Sequence, residues 1–131
     1  MINGGENVND NTFEVDYRYD SSSDVLAVKV KRDFDYNKTV EMDEGVLLDF
    51  DIDDVPISLE ILDASKRFKV PKYSLRNLFS FNMGVCVNED SIKIDVTVGV
   101  IIHNKQEDTI LKSLVNNYAN IPNMETALVS A

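Results

Sequence analysis

Val46-Leu47-Leu48-Asp49-Phe50-Asp51-Ile52-Asp53, then Asp54-Val55-Pro56, then Ile57-Ser58-Leu59-Glu60-Ile61, is the stretch whose reading decides the fold. Val46, Leu48, Phe50 and Ile52 alternate with Leu47, Asp49, Asp51 and Asp53. A period of two belongs to a half-buried strand. Ile57, Leu59 and Ile61 resume the alternation beyond the turn, so the pair reads as an antiparallel hairpin. Pairing Ile52 with Ile57 sets Phe50 opposite Leu59 and Leu48 opposite Ile61, with every apolar residue on one face. That register also sets Asp49 opposite Glu60 and Asp51 opposite Ser58. Like charges facing across a ladder cost up to about 1 kcal/mol.

Towards the N-terminus, residues 1–12 are polar and aperiodic, and a flexible N-terminus is expected there. Phe13, Val15, Tyr17 and Tyr19 alternate with charged residues, and Leu26, Val28 and Val30 do the same after the polar turn Asp20–Asp24. Tyr19 opposite Leu26, Tyr17 opposite Val28 and Val15 opposite Val30 make a self-consistent hairpin. A short strand is expected around Thr39–Met42, with Asp43-Glu44-Gly45 turning the chain.

Towards the C-terminus the alternation stops at Leu62, and residues 62–68 read as a helical turn. Pro71 suits the first position of a helix, and Leu75, Leu78 and Phe79 carry its narrow stripe, which predicts a helix over about 71–81. Val85 and Val87 begin another strand. Ile92, Ile94, Val96, Val98, Val100 and Ile102 alternate cleanly in the longest strand pattern of the chain, with a bulge natural at Gly99. Asp108 suits an N-cap, and Ile110, Leu111, Leu114, Val115 and Tyr118 predict a second helix over about 108–118. Residues 121–131 read as a loose tail. The expected architecture is α+β: a mainly antiparallel sheet with two or three short helices. It divides into a hairpin half over 13–68 and a C-terminal half over 69–120 packed on it.

Thirteen basic residues against 23 acidic ones give the 131-residue chain a net charge of −10. Nucleic-acid binding needs clustered cations to neutralise phosphate, so neither nucleic acid nor an anionic membrane is an expected partner. A basic protein is. No apolar run approaches the length of a membrane span, and no signal-peptide pattern opens the chain. The single cysteine, Cys86, excludes an internal disulfide and fits a reducing, cytoplasmic compartment.

Asp49, Asp51, Asp53 and Glu60 fall at positions 1, 3, 5 and 12 of a twelve-residue window, the ligand spacing of a calcium loop. Such a loop needs Gly at position 6, where this chain has Asp54, and needs helical flanks. These four are the candidate cation ligands, and Asp49, Asp51 and Glu60 the candidate partner-binding acids; a solvated strand face would use the same residues. His103 is the only histidine, without a second one for zinc or a triad partner. Cys86 has no adjacent base. No Walker loop, dinucleotide fingerprint or metalloprotease motif occurs, so no cofactor is expected.

Tyr19-Asp20 with Asp24, Leu26 and Val28, then Val46–Asp51, then Glu60-Ile61-Leu62-Asp63-Ala64-Ser65-Lys66 together resemble the small DUF2283 proteins over about residues 17–68. The family usually has Gly in the second turn, where this chain has Asp54-Val55-Pro56. The resemblance implies paired hairpins and no catalytic residues, and some members are suspected antitoxin-like partners of small toxins. The expected function is therefore a non-enzymatic protein-interaction module with an acidic face, antitoxin-like and homodimeric. The alternatives are a small-molecule or metal-dependent enzyme with a site between the halves, and an acidic cation binder.

Overall fold

Alternation carries most of this chain into strands, including segments where a helical stripe competes with it. The computed structural model describes residues 11–130. Within them run β1 (Thr12–Asp20), β2 (Val25–Val30), β3 (Tyr36–Asp43), β4 (Val46–Asp51) and β5 (Pro56–Ile61). Two five-residue helices follow, α1 (Ala64–Phe68) and α2 (Lys72–Arg76). The chain then makes β6 (Ser80–Val87), β7 (Ser91–Ile102), β8 (Lys105–Asn116) and β9 (Met124–Ser130). All nine strands join one sheet in the order β3-β4-β5-β2-β1-β9-β6-β7-β8. The β1–β9 pair is parallel and the others are antiparallel, so the sheet is mixed.

This overturns the α+β expectation. The predicted helix over 108–118 lies in β8, paired with β7 from Ile102↔Lys105 to Ser91↔Asn116 without a register break. The reason is main-chain demand. A twelve-residue β7 has backbone groups along its free side that need partners. The two-residue turn His103-Asn104, with φ of 51° and 64°, delivers β8 beside it. The supposed helical stripe is two strand faces: Leu111 and Val115 turn inward, while Ile110 and Leu114 turn out. The predicted helix over 71–81 shrinks to α2. Phe81, Met83, Val85 and Val87 are all buried on one side of β6, and that four-residue alternation outweighs a three-residue stripe.

The segment expected to be a loose tail forms β9, near the middle of the sheet. Leu128 is fully buried, with β1 on one side and β6 on the other. The flexible N-terminus expected over 1–12 falls mostly on residues 1–10, outside the described residues. Asn11 accepts a main-chain bond from Ala127 at 2.8 Å.

The first hairpin has the expected register, Tyr19↔Leu26 through Val15↔Val30. The second is shifted by two residues. Leu48 pairs with Leu59, Asp49 with Ser58 and Leu47 with Glu60, with an irregularity between Asp49 and Phe50. The Asp51 side chain causes the shift. Its Oδ1 accepts the N–H groups of Asp53 and Val55, each at 2.9 Å, and folds residues 52–55 into a turn. Ile52 is left outside the ladder, 60% exposed. The shift of two preserves the faces from Leu47 to Asp49, but past the irregularity they change, with Asp51 buried and Ile52 exposed. Gly99 makes no break in the β7–β8 register. Its role is close approach, since a Cβ there would meet Ser80 Oγ at 2.5 Å.

The sheet curls around an apolar interior until its two edge strands, β3 and β8, face one another. Side chains bridge this seam. The Ser113 hydroxyl donates to the Met42 carbonyl and Lys38 Nζ to the Ala119 carbonyl at 3.3 Å, while Thr109 Oγ1 ties β8 to α1 by donating to the Phe68 carbonyl at 2.8 Å.

One buried carboxylate ties the first hairpin to α1. Asp24, at φ 58°, closes the β1–β2 turn. Its Oδ1 accepts the Tyr19 hydroxyl at 2.6 Å and the Ser65 N–H at 3.0 Å. Its Oδ2 accepts the Ser65 hydroxyl at 2.7 Å. The Asp24 carbonyl takes the Ala64 N–H at 2.9 Å. A residue far away in sequence thus caps a helix whose own N-cap, Asp63, makes no side-chain cap bond. Burial works to raise the Asp24 carboxyl. The bonds from Tyr19 and Ser65, with Lys72 nearby, outweigh it and hold the group below the usual carboxylate range. Burial, then the hydrogen bond to Asp24, pushes the Tyr19 phenol well above its ordinary value.

Two outcomes follow from this arrangement. Leu128→Ala removes a fully buried side chain and is expected to cost about 3 kcal/mol in urea unfolding; a tail outside the core would leave the midpoint unchanged. The depressed Asp24 carboxyl contributes stability that is complete above about pH 4, its unfolded range, and is lost as pH falls through the folded value. Asp24→Asn keeps the left-handed backbone accessible. It is expected to lower stability at pH 7 by about 1–3 kcal/mol and to flatten the acid limb of a stability–pH profile.

Candidate functional site

The candidate acids do not converge. Asp51 is buried and committed, with Oδ1 holding the turn and Oδ2 3.3 Å from Arg32. Asp49 points outward, but Thr39 donates to its Oδ1 at 2.5 Å and Ser58 to its Oδ2 at 2.7 Å. Its two oxygens thus tie β3, β4 and β5 together. Asp53 is exposed on the turn. Glu60 is exposed on β5, beside Leu47 on one strand and Ala27 on the other. Among the described residues no group of three or more His, Cys, Asp or Glu side chains is arranged to hold a metal ion.

The outer face beyond them carries mixed charge. Lys29 stands between Ser58 and Asp16 across the ladder, and Arg18 stands beside Ala27. Lys31 Nζ lies 2.5 Å from Glu14 and 3.5 Å from Asp16, and the bond to Glu14 raises its ammonium above the ordinary value. In the turn, the Ser22 and Ser23 bonds draw the Asp20 carboxyl below its ordinary range. Cys86 is exposed on the outer face of β6, opposite Lys93 and Glu125. His103 sits in the β7–β8 turn.

A different feature distinguishes the molecule. Nine large apolar side chains are exposed among the described residues, and six of them lie in the C-terminal half: Tyr73, Phe79, Ile101, Ile110, Leu114 and Tyr118. Three follow one line along β8 and its exit: Ile110 at 56% exposure, Leu114 at 65% and Tyr118 at 86%. Lys112, between the first two, lies 3.8 Å from Asp95, which also lies 3.8 Å from Lys93. The Asp95 carboxylate thus lies between two cations along this strip. Beside the strip the seam opens into a groove of about 620 Å³, lined by Thr39, Val40 and Glu41 of β3 and by Leu114, Val115 and Tyr118. The sequence pattern contained this strip, since Ile110, Leu114 and Tyr118 recur every four residues. Read as a helix, they belong to a stripe turned towards the core.

Among the described residues, no helix is long and apolar enough to cross a membrane. No solved structure matches the chain. A Methanosarcina mazei protein with the provisional name hypoxanthine phosphoribosyltransferase is 37% identical over 87 residues, which cover 66% of this chain and 70% of that protein. An uncharacterized protein of Methanocaldococcus jannaschii is 31% identical over 104 residues, covering 66% of this chain and 89% of that one. Residues 16–65 match the family described as "Protein of unknown function (DUF2283)". The matched segment spans the first hairpin, the second hairpin and the Asp24 bonds to Ser65. By that match, residues 16–65 belong to the DUF2283 family, and the chain is related beyond them to these two archaeal proteins.

Proposed function

We propose that this protein is a non-enzymatic interaction module that docks a basic protein partner on the outer strip of β8 and the adjoining groove. The observation that carries the reading is the line Ile110, Leu114 and Tyr118, left in water along the outer side of β8 and its exit. Clustered apolar side chains at the surface are a usual mark of a docking site. The net charge of −10 adds attraction for a cationic partner. Glu41 lines the groove, and Glu60 stands in the same cross-strand row, with Leu47 between them. The expected acidic face therefore keeps Glu60 and gains Glu41, while Asp51 drops out and Asp49 serves the sheet.

A small basic toxin would be a partner of this kind, which keeps the antitoxin-like role as the narrower proposal. A transferase reading, prompted by the name of the M. mazei relative, needs a phosphate cradle. Gly45, Gly84 and Gly99 each stand alone in separate strands or turns, and neither helix exceeds five residues. An acidic cation binder needs converging carboxylates, which the described residues do not offer.

The test uses a basic protein co-purified from native lysate and then re-measured as a pure component. Ile110→Asp with Leu114→Asp is expected to weaken binding at least tenfold with the circular dichroism unchanged. Glu41→Gln with Glu60→Gln is expected to slow association and reduce its salt dependence. Unchanged affinity in the Ile110/Leu114 variant would overturn the reading. Sedimentation that gives twice the monomer mass without a partner would assign the strip to a second copy of this chain instead.

A further inference from the structure

The β7–β8 turn holds a histidine where the backbone favours glycine. Ile102 pairs with Lys105, so His103 and Asn104 alone make the turn, both at positive φ. Two-residue turns of this kind favour Asn-Gly or Gly-Gly, because a Cβ is crowded there. Asn and His are among the few non-glycine residues enriched in that region, so both side chains are carried at the turn without exceptional strain.

A cleft lies beside the turn. Tyr73, Ser74 and Asn77 line one side, and Ile101, His103 and Asn104 line the other, around about 350 Å³. That volume is at the small end of ligand sites. The walls are held in place. The Ser74 hydroxyl donates to the Ile101 carbonyl at 3.1 Å, and Leu75, beside it on α2, is fully buried. Tyr73 is left 56% exposed. The lining offers a phenol ring, an imidazole, two carboxamides and an apolar wall. It contains no carboxylate, in a chain with 23 acidic residues.

We propose that this cleft binds a neutral planar heterocycle of nucleobase size. Tyr73 and His103 supply aromatic faces for stacking. Asn77 and Asn104 each carry a donor and an acceptor, which suits the mixed edge of such a ring. An anion is disfavoured because no Lys or Arg lines the cleft, and a cation because no carboxylate does. The site lies at the opposite end of β8 from Leu114 and Tyr118 and is independent of the partner reading.

The experiment titrates the full chain with adenine and with uracil, following amide shifts by NMR, with inositol as a non-planar polar control. The expected result is saturable shifts at Tyr73, Asn77, His103 and Asn104 with a base and none with inositol. His103→Asn is expected to keep or raise the thermal midpoint, because Asn tolerates the turn, while weakening binding at least tenfold. Tyr73→Leu should weaken it similarly with the fold intact. Shifts absent with both bases, or binding unchanged in His103→Asn, would overturn the proposal. Equal shifts with inositol would reduce the cleft to a nonspecific polar surface.

Discussion

The Asp24 carboxylate is the constraint on which the N-terminal half depends. The β1–β2 turn and α1 are separated by four strands in sequence, yet one side chain joins them through Tyr19 and Ser65. A buried carboxylate is tolerable only when its oxygens are fully engaged. Here a phenol, an amide and a hydroxyl engage them. α1 is too short to stand on its own propensity. It exists because its first amides have partners outside it, in Asp24 and its carbonyl. Because this contact joins the start and the end of the segment shared with the DUF2283 family, Tyr19, Asp24 and Ser65 have a structural reason to recur together. None of them needs a catalytic role.

A second constraint is the sheet edge. Nine strands in one open sheet would leave two long rows of unpaired main-chain groups. The curl brings β3 and β8 together, and side-chain donors bridge them to main-chain carbonyls. The C-terminal strand β9 links the two halves by lying between β1 and β6. It runs antiparallel to β6 and parallel to β1, which makes β1–β9 the parallel pair of the sheet.

The legible part of the fold was the part governed by strict alternation. The first hairpin and the long strand β7 follow from period two alone, and the first hairpin even in register. The second hairpin kept its faces only as far as Asp49 and Ser58, and not its partners, because Asp51 is buried with its side chain spent on the turn while Ile52 is exposed, a local hydrogen-bond choice that hydrophobic patterning does not encode. The two helical readings failed for another reason. Ile110, Leu111, Leu114 and Val115 fit a helical face and two strand faces equally well. What decided between them was the unpaired side of β7, a tertiary demand. Of the candidate acids, Asp49 and Glu60 face outward from the strands and Asp53 is exposed on the turn, while Asp51 is buried. Yet outward direction did not make a site, since Asp49 is held by Thr39 and Ser58. The apolar strip of β8 was missed because the helical reading assigned its residues to the core.

The distribution of surface chemistry argues for a division of labour between the halves. Charge acts at distances of about 10 Å at ordinary salt and sets encounter rates and partner choice. Apolar contact acts only on touching and sets residence time. Glu41, Asp43 and Glu44 lie around the β3–β4 turn, with Arg67 donating to the Glu44 carbonyl and lying 3.4 Å from Asp43. The exposed apolar line lies across the seam on β8. A partner that approached along the acidic rim would therefore reach the apolar strip without leaving the surface. The seam that relieves the sheet of its edges also places these two kinds of surface side by side. Closure of the sheet and presentation of the strip are consequences of the same curl, so a change that flattened the sheet would disturb both.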